Sequence, residues 1–561
     1  MLGYIKTVTF SSGDVLFVDP NATVLIVGPN NSGKSQALKD IQNHLLLYPQ
    51  QHQPLAVSRI EYEKSSTGIQ VQAWLEDRST KTPSGPNDFM LNRLGSSVIR
   101  SSVSPSWDAG PPFTGLGAQL VQLFTPSSVQ TLINNANLIN PETDQGTQAL
   151  HFVFLNPELE RRLSELSTEA FGIPIFLNRY GVPQLALHFG NLPSVPSTAP
   201  PYPREFLRDI GQVPLVTNQG DGIKSFVGIA LAAMSTPFPH LLLDEPEAFL
   251  HPPQARLLGR VLHQQHPESQ LFIATHDGNL LKGLLAGEEP NVAVWRMTRV
   301  GNSNHCVQLS ADAIRELWAD PLLRTSNILE GLFHRGVVVS EGDADARLYE
   351  LAISEASPPI ALSSDLFYTF AGGKQRIPMV LRALRSVGVV VAAVADFDVL
   401  REEEPLKSIV EALEGSWDAV AAIWQPVKNA IDADTRIPTR TSIREEVSRL
   451  LDGSSAPALS RQEQEAFRAV LHGDTGWDRT RRSGVAGLAH GALVTQTKML
   501  MQRLAELGLF VVPVGELEGW APEIGGHGPN WLGSAVQYGV HRRNVDLIAF
   551  VREVAAFALG A

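Results

Sequence analysis

The stretch VLIVGPNNSGKSQALKDI, residues 24–41, decides how the first half of the chain is read. A short β-branched apolar run is followed by G-x-x-x-x-G-K-S, Gly28 to Ser35, and then by apolar residues at helical spacing. Glycines at these positions let backbone amides wrap a pyrophosphate, Lys34 reaches the β and γ oxygens, and Ser35 can hold Mg²⁺. Asn30, Asn31, Gly33 and Gln36 fall inside or beside the same loop and join the candidate nucleotide contacts. Strand, loop and helix in this order predict an α/β domain that binds a nucleotide.

A matching second half lies some two hundred residues on. HLLLDEPEAFLHP, residues 240–252, is an apolar strand ending in Asp244, suited to Mg²⁺, and Glu245, placed to polarise an attacking water. FIATHD, residues 272–277, ends a further strand at His276, within reach of a γ-phosphate in such a fold. Asp-Glu-Pro after one strand and Thr-His after the next resemble the ABC-type ATPases. That resemblance implies ATP as ligand and two heads that sandwich it, each lending a signature loop to the other. TNQGDGIKSF, residues 217–226, is the candidate loop, with Gly220 and Gly222 before a helix. It lacks the usual serine, so Asn218 or Gln219 would stand in its place, and no glutamine between the two halves can be assigned to the family's Q-loop.

The second half of the chain opens another pattern. In VVVSEGDADARLYE, residues 337–350, a strand ends before Glu341, and Asp345 falls on the first turn of a helix whose Ala344, Leu348 and Leu351 are expected to face a sheet. VGVVVAAVADFDVL, residues 387–400, is a second buried-type strand running into Asp396 and Asp398, and strand alternation would point both carboxylates to one side. Parallel strands present their C-terminal ends together. Four carboxylates gathered there repel one another unless cations sit between them, and Mg²⁺ or Mn²⁺ suits such hard oxygen donors. Alone, Glu341 and Asp345 equally fit a helix-start pair favoured by the helix dipole, and Asp396 and Asp398 a loop after a strand.

E-G-x-x-D followed by D-x-D resembles the TOPRIM domain of topoisomerases, bacterial primases and related nucleases. An ABC-type ATPase followed by TOPRIM resembles the OLD (overcoming lysogenization defect) family nucleases, including the nuclease subunit of the Gabija defence system. What this implies is a homodimeric, ATP-controlled, metal-dependent endonuclease acting on DNA in defence against phage, with a helicase or other defence protein as a possible partner. It also implies roles along the second domain. Lys374, in TFAGGKQRI, would contact phosphate; Glu516 and Glu518, in LFVVPVGELEGW, would complete the metal site; Lys498, in TQTKML, would neutralise the scissile phosphate. Cleavage of RNA by the same chemistry, or an ATP-gated DNA clamp without cleavage, stay open as alternatives.

The expected organisation is an ATPase domain over residues 1–325, with a helical insertion at about 118–205 as a dimerisation segment, a TOPRIM domain with a parallel sheet over 330–525, and a helical extension over 526–561. NPELERRLSELSTEAF, residues 156–171, begins with an Asn-Pro helix start inside the insertion. The Ser/Gly/Pro-rich residues 78–117 and the proline-dense residues 191–205 read as loops or ordered insertions. With 561 residues and 43% hydrophobic composition, several folded units are expected. No run of about 18 apolar residues is present and the start MLGYIKTVTF has no long apolar segment, so a cytoplasmic protein away from membranes is expected. A single cysteine, Cys306, excludes a disulfide framework and a cysteine-based zinc site. A net charge of -13 argues against coating nucleic acid by bulk electrostatics but leaves room for local basic grooves, for which Arg376, Arg382 and Arg385, and Arg479, Arg481 and Arg482, are candidates. A topoisomerase tyrosine module and a primase zinc module find no place.

Overall fold

The computed structural model describes residues 2–560 except 87, 94, 143, 145, 181–182, 198–201, 236–237, 265–268, 287–291, 310–327, 360–361, 387, 435–438, 453–457, 461–462, 465, 468–469, 471–474 and 490. The chain divides into two compact units, Met1–Leu309 and Ser310–Ala561. The expected boundary between residues 325 and 330 borders residues 310–327, which lie outside the described ones.

Strands of the first unit are, in chain order, β1 (Gly3–Phe10), β2 (Val15–Phe17), β3 (Thr23–Val27), β4 (Val57–Lys64), β5 (Thr80–Gly85), β6 (Asp88–Arg93), β7 (Ser96–Ile99), β8 (Val121–Phe124), β9 (Ala136–Asn137), β10 (Ile175–Asn178), β11 (Gln184–Phe189), β12 (His240–Asp244), β13 (Gln270–Ala274), β14 (Val292–Val300) and β15 (Ser303–Gln308). The central sheet has the order β15-β14-β3-β13-β12-β8 and is parallel except for β15. Every residue of β3 is buried, as expected of an apolar run covered on both faces. The helix Lys34–Leu46 buries Ala37, Leu38, Ile41 and Leu45. A fully buried aliphatic side chain contributes about 1.5–3 kcal/mol, so this one stripe holds the phosphate loop against the sheet. Phe10, Phe272 and Trp295 meet edge to face in the same core.

The insertion differs from expectation in extent and composition. Its predicted span from about 118 includes β8, which pairs in parallel with β12 and belongs to the central sheet. VQLF is too short and too irregular in hydrophobicity to announce a strand. Beyond β8, the helix Pro157–Phe171 forms where the Asn-Pro signal places it, with the Asn156 side chain accepting from the Glu158 and Leu159 amides and Gly172 ending it at φ 73°. The segment is not purely helical, because β9, β10 and β11 form an antiparallel sheet beside that helix. Strands β5, β6 and β7 likewise form an ordered antiparallel sheet.

The second unit is built on β16 (Gly336–Ser340), β17 (Leu366–Phe370), β18 (Val390–Ala395) and β19 (Leu509–Val511), all parallel in the order β17-β16-β18-β19. The helix Asp343–Ser354 follows β16 and buries Leu348, Tyr349, Ala352 and Ile353, whereas Ala344 and Leu351 are only partly covered. The buried face is wider than predicted because residues of the helical extension pack against it. Trp531, Ala535, Leu547, Phe550 and Val554 share one core with Val338, Leu348 and Tyr349. Gly336 is required here: a Cβ would stand 1.9 Å from the Ala558 carbonyl oxygen. Among the described residues no helix is long and apolar enough to cross a membrane.

Candidate functional sites

The first site sits at the C-terminal ends of β3, β12 and β13. Gly28 has φ 144° and lies so close to β14 that a Cβ would meet the Met297 carbonyl oxygen at 2.1 Å. Gly33 has φ 96°, and Asn304 on β15 braces the loop from behind by donating to the Ser32 carbonyl at 2.6 Å. Asn30 and Asn31 are exposed on the outer rim. Lys34 is buried and donates to the carbonyls of Gly28 at 2.8 Å and Pro29 at 3.0 Å. Burial lowers its pKa, opposed by Glu245, Asp244 and Glu247. Ser35 Oγ donates to Asp244 Oδ1 at 2.8 Å, joining the two predicted halves across 209 residues of sequence. Burial pushes the Asp244 carboxyl up, while that hydrogen bond pulls it down. Gln36 is turned elsewhere: its amide donates to buried Asp40, which also accepts from the Leu55, Ala56 and Val57 amides.

Glu245 has φ 46° and its amide donates to the Ala274 carbonyl, so the turn after β12 is fastened to the end of β13. His276 Nδ1 lies 3.4 Å from Glu245 Oε1 and 3.6 Å from Glu247 Oε1. Glu247 is a member of this site that the sequence reading passed over. The only signal for it was a carboxylate in the middle of an apolar turn. Gly220 and Gly222 stand at the start of the helix Asp221–Ser235, where the Gly220 carbonyl accepts from Ile223 and Lys224. A Cβ on Gly222 would meet the Phe249 carbonyl at 2.7 Å, so this turn packs against the segment following Glu247. Gln219 donates to the Leu215 carbonyl, and among the described residues neither it nor Asn218 bonds to the phosphate loop.

The second site lies at the C-terminal ends of β16 and β18. Glu341 leaves β16 and accepts from the Asp396 amide at 3.1 Å, while its own carbonyl takes the Gly372 and Gly373 amides of the turn before Lys374. Asp345 Oδ2 accepts from the Gly342 amide at 3.2 Å. Burial, with Asp398 next, pushes Glu341 up to about 7. Burial pushes Asp345 up to about 6, and burial followed by Asp345, Glu341, Asp398 and Glu516 pushes Asp396 up to about 9. The structure therefore gathers the predicted carboxylates, but strand alternation is not the reason. β18 ends at Ala395, and Asp398 lies on the 3-10 turn Phe397–Arg401.

Lys374 and Arg481 reach this group. Lys374 Nζ contacts Asp398 Oδ2 at 3.2 Å and Glu402 Oε1 at 2.9 Å, and Arg481 Nε donates to Glu516 Oε2 at 2.8 Å. Lys498 is exposed on the helix Ala492–Leu507, and among the described residues no hydrogen bond or ion pair joins it to the carboxylates. Its place on the helix surface reflects a face of the helix that packing leaves to solvent. Glu516 and Glu518 come together with His527, each offering a ligand atom within 4.8 Å of the others. His527 was not legible in sequence, since it belongs to a glycine-rich turn with no metal-ligand spacing.

Residues 55–282 match the family described as "AAA domain, putative AbiEii toxin, Type IV TA system". No curated protein matches the chain. Among solved structures, the Smc head bound to the C-terminal winged-helix domain of ScpA is 14% identical, with TM-score 0.35, over 55% of this chain and 99% of that one. The SMC head domain from Thermotoga maritima is 15% identical, with TM-score 0.29, over 55% and 99%. The Pyrococcus furiosus Smc head with an extended coiled coil, bound to the C-terminal domain of ScpA, is 13% identical, with TM-score 0.34, over 57% and 99%. With the matched segment spanning Asp244 and His276, and Ser35 bonded to Asp244, the first unit carries an ATPase-type domain.

Proposed function

We propose that this protein is an ATP-controlled, metal-dependent endonuclease of the OLD type, acting on DNA phosphodiesters in defence against phage. The observation that carries the reading is the gathering of Glu341, Asp345, Asp396 and Asp398 at the ends of parallel strands, where burial and mutual repulsion hold three of them well above the ordinary carboxylate range. Such a set of hard oxygen donors fits Mg²⁺ or Mn²⁺, and Glu516 and Glu518, with the His527 imidazole beside them, extend it. Bound there, divalent ions would supply an activated water and stabilise the leaving oxygen. The chain's own residues hold that arrangement: Lys374 fixes Asp398, Arg481 fixes Glu516, and both cations favour an incoming phosphate. Lys498 is retained as a substrate contact only. In the first unit Gly28, Asn30, Asn31, Gly33, Lys34 and Ser35 would bind ATP, Asp244 and Ser35 would hold its Mg²⁺, Glu245 would orient the attacking water, and His276 would contact the γ-phosphate. Gly220 and Gly222 serve the nucleotide of a second copy, which makes the working form a homodimer.

Purified protein incubated with supercoiled DNA, linear DNA and bulk RNA, with Mg²⁺ or Mn²⁺ and with or without ATP, tests the reading. Metal-dependent nicking or linearisation of DNA is the expected result. Cutting confined to RNA would keep the chemistry and change the substrate. ATP-dependent retention of uncut DNA would replace the nuclease by a clamp.

A further inference from the structure

Glu247 has no part in the reading above, yet its surroundings are unusual for a carboxylate. Only 5% of its surface is exposed. Its Oε1 accepts from Thr275 Oγ1 at 2.6 Å and from the His276 amide at 3.1 Å, and the same atom stands 3.6 Å from His276 Nδ1. Its Oε2 finds no donor on any other described residue. A buried carboxylate with one oxygen doubly engaged and the other unmatched is costly unless the arrangement serves a purpose. Burial pushes its pKa up to about 7 in spite of the two donors.

The geometry says what the purpose is. Thr275 and His276 follow β13, Glu245 and Glu247 follow β12, and these strands are paired in parallel up to Asp244 and Ala274. The Glu245 amide donates to the Ala274 carbonyl, which fixes the start of the turn. Glu247 then ties the far end of that turn to the residue carrying the imidazole. With both ties made, His276 Nδ1 lies 3.4 Å from Glu245 Oε1. Remove the second tie and the half-exposed imidazole loses the buried carboxylate that holds its backbone.

We propose that Glu247 is a positioning residue for ATP hydrolysis, clamping the Thr275–His276 backbone so that the imidazole and the Glu245 carboxylate face the γ-phosphate together. This rests on the ATPase reading of the first unit. Lys34 and the glycines bind ATP whether or not Glu247 is present, so the effect belongs to turnover and not to affinity. The Thr275 hydroxyl and the His276 amide need an acceptor and not a charge, so the side-chain carbonyl of glutamine satisfies both.

Steady-state hydrolysis and titration with a fluorescent ATP analogue read the outcome in E247A, E247Q, E247D, H276A and the E247A/H276A double variant. E247A should lower kcat roughly 100-fold, the scale of a misplaced catalytic group, with KM and analogue affinity unchanged. E247Q should restore most of kcat, and the double variant should be no slower than the worse single variant, because the two act through one arrangement. Should alanine unfold the domain, E247D keeps the charge and withdraws it by one methylene, and it too should lower kcat with binding intact. Wild-type kcat in E247A or E247D, a loss expressed in KM alone, or additive losses in the double variant would overturn the role of Glu247. Absence of hydrolysis by the wild type, with no binding of the analogue, would overturn the ATPase reading itself.

Discussion

The two sites are both built from carboxylates at the C-terminal ends of parallel strands, yet they handle charge in opposite ways. At the first, an ammonium belongs to the site: Lys34 is held by two carbonyls and feels Glu245, Asp244 and Glu247, while Asp244 has the Ser35 hydroxyl. At the second, Glu341 and Asp345 each accept from a backbone amide, Asp396 has burial and carboxylate neighbours, and the cations Lys374 and Arg481 engage the outlying Asp398, Glu402 and Glu516. The first offsets part of its negative charge with an ammonium at its centre. The second keeps an excess of negative charge that only protons or added cations relieve, and it is the more sensitive of the two to what the solvent supplies.

The sharpest way to break this contrast is to remove charge from the second site without changing its volume. Glu341→Gln and Asp396→Asn should reduce metal-dependent DNA cleavage roughly 100-fold or more, leave ATP hydrolysis in place, and keep thermal stability in chelator equal or slightly higher, since repulsion is relieved. Cleavage assays beside calorimetry decide it, and wild-type cutting by both variants would dissolve the proposed metal site. At the first site the corresponding change separates two functions. Lys34→Ala should abolish ATP binding, whereas Glu245→Gln should bind ATP and hydrolyse it roughly 10²–10⁴-fold more slowly; equal hydrolysis by wild type and Glu245→Gln would show that Glu245 does not activate water.

A subtler effect follows from pH. Asp396, Glu341 and Asp345 have folded-state pKa values raised to about 9, 7 and 6 by burial and neighbouring carboxylates. A raised acid binds more protons folded than unfolded, so its contribution is full below the ordinary carboxylate range and is lost as pH rises through the folded value. In chelator, the melting temperature of the second unit should fall as pH climbs from about 4 to about 9. Mg²⁺ or Mn²⁺ should flatten that slope by binding the ionised form, and Asp396→Asn should reduce it. A flat profile in chelator would remove the excess-charge account. The smallest effect is structural: Asn304→Ala frees the Ser32 carbonyl behind the phosphate loop and should cost about 1 kcal/mol in denaturant titration.

Much of this was legible because local chemistry is written locally. The phosphate loop needs glycines at Gly28 and Gly33 for backbone reasons, a buried strand needs the apolar run of β3, and Asn156-Pro157 starts its helix. What escaped depends on contacts between distant segments. β8 is a strand because β12 is beside it, not because VQLF alternates. Asp396 and Asp398 converge through a 3-10 turn, where strand alternation gives the right neighbours for the wrong reason. Glu247 and His527 take their meaning from partners that folding supplies, Thr275 and His276 for one, Glu516 and Glu518 for the other. Lys498, a position inferred along the chain, lies exposed on its helix, where a substrate and not the fold would have to supply its partner.

The closure of the second sheet by residues near its far end carries a consequence for biosynthesis. Gly336, the first residue of β16, lies beneath the Ala558 carbonyl, and Val338 and Leu348 share their core with Val554. Carboxylates such as Glu341 and Asp345 leave the ribosome some two hundred residues before the helix that completes the core around them. During vectorial synthesis the first unit can fold as a domain while the second stays unfinished. The order of translation thus leaves the acidic cluster without the core beneath it until residues 545–558 have emerged.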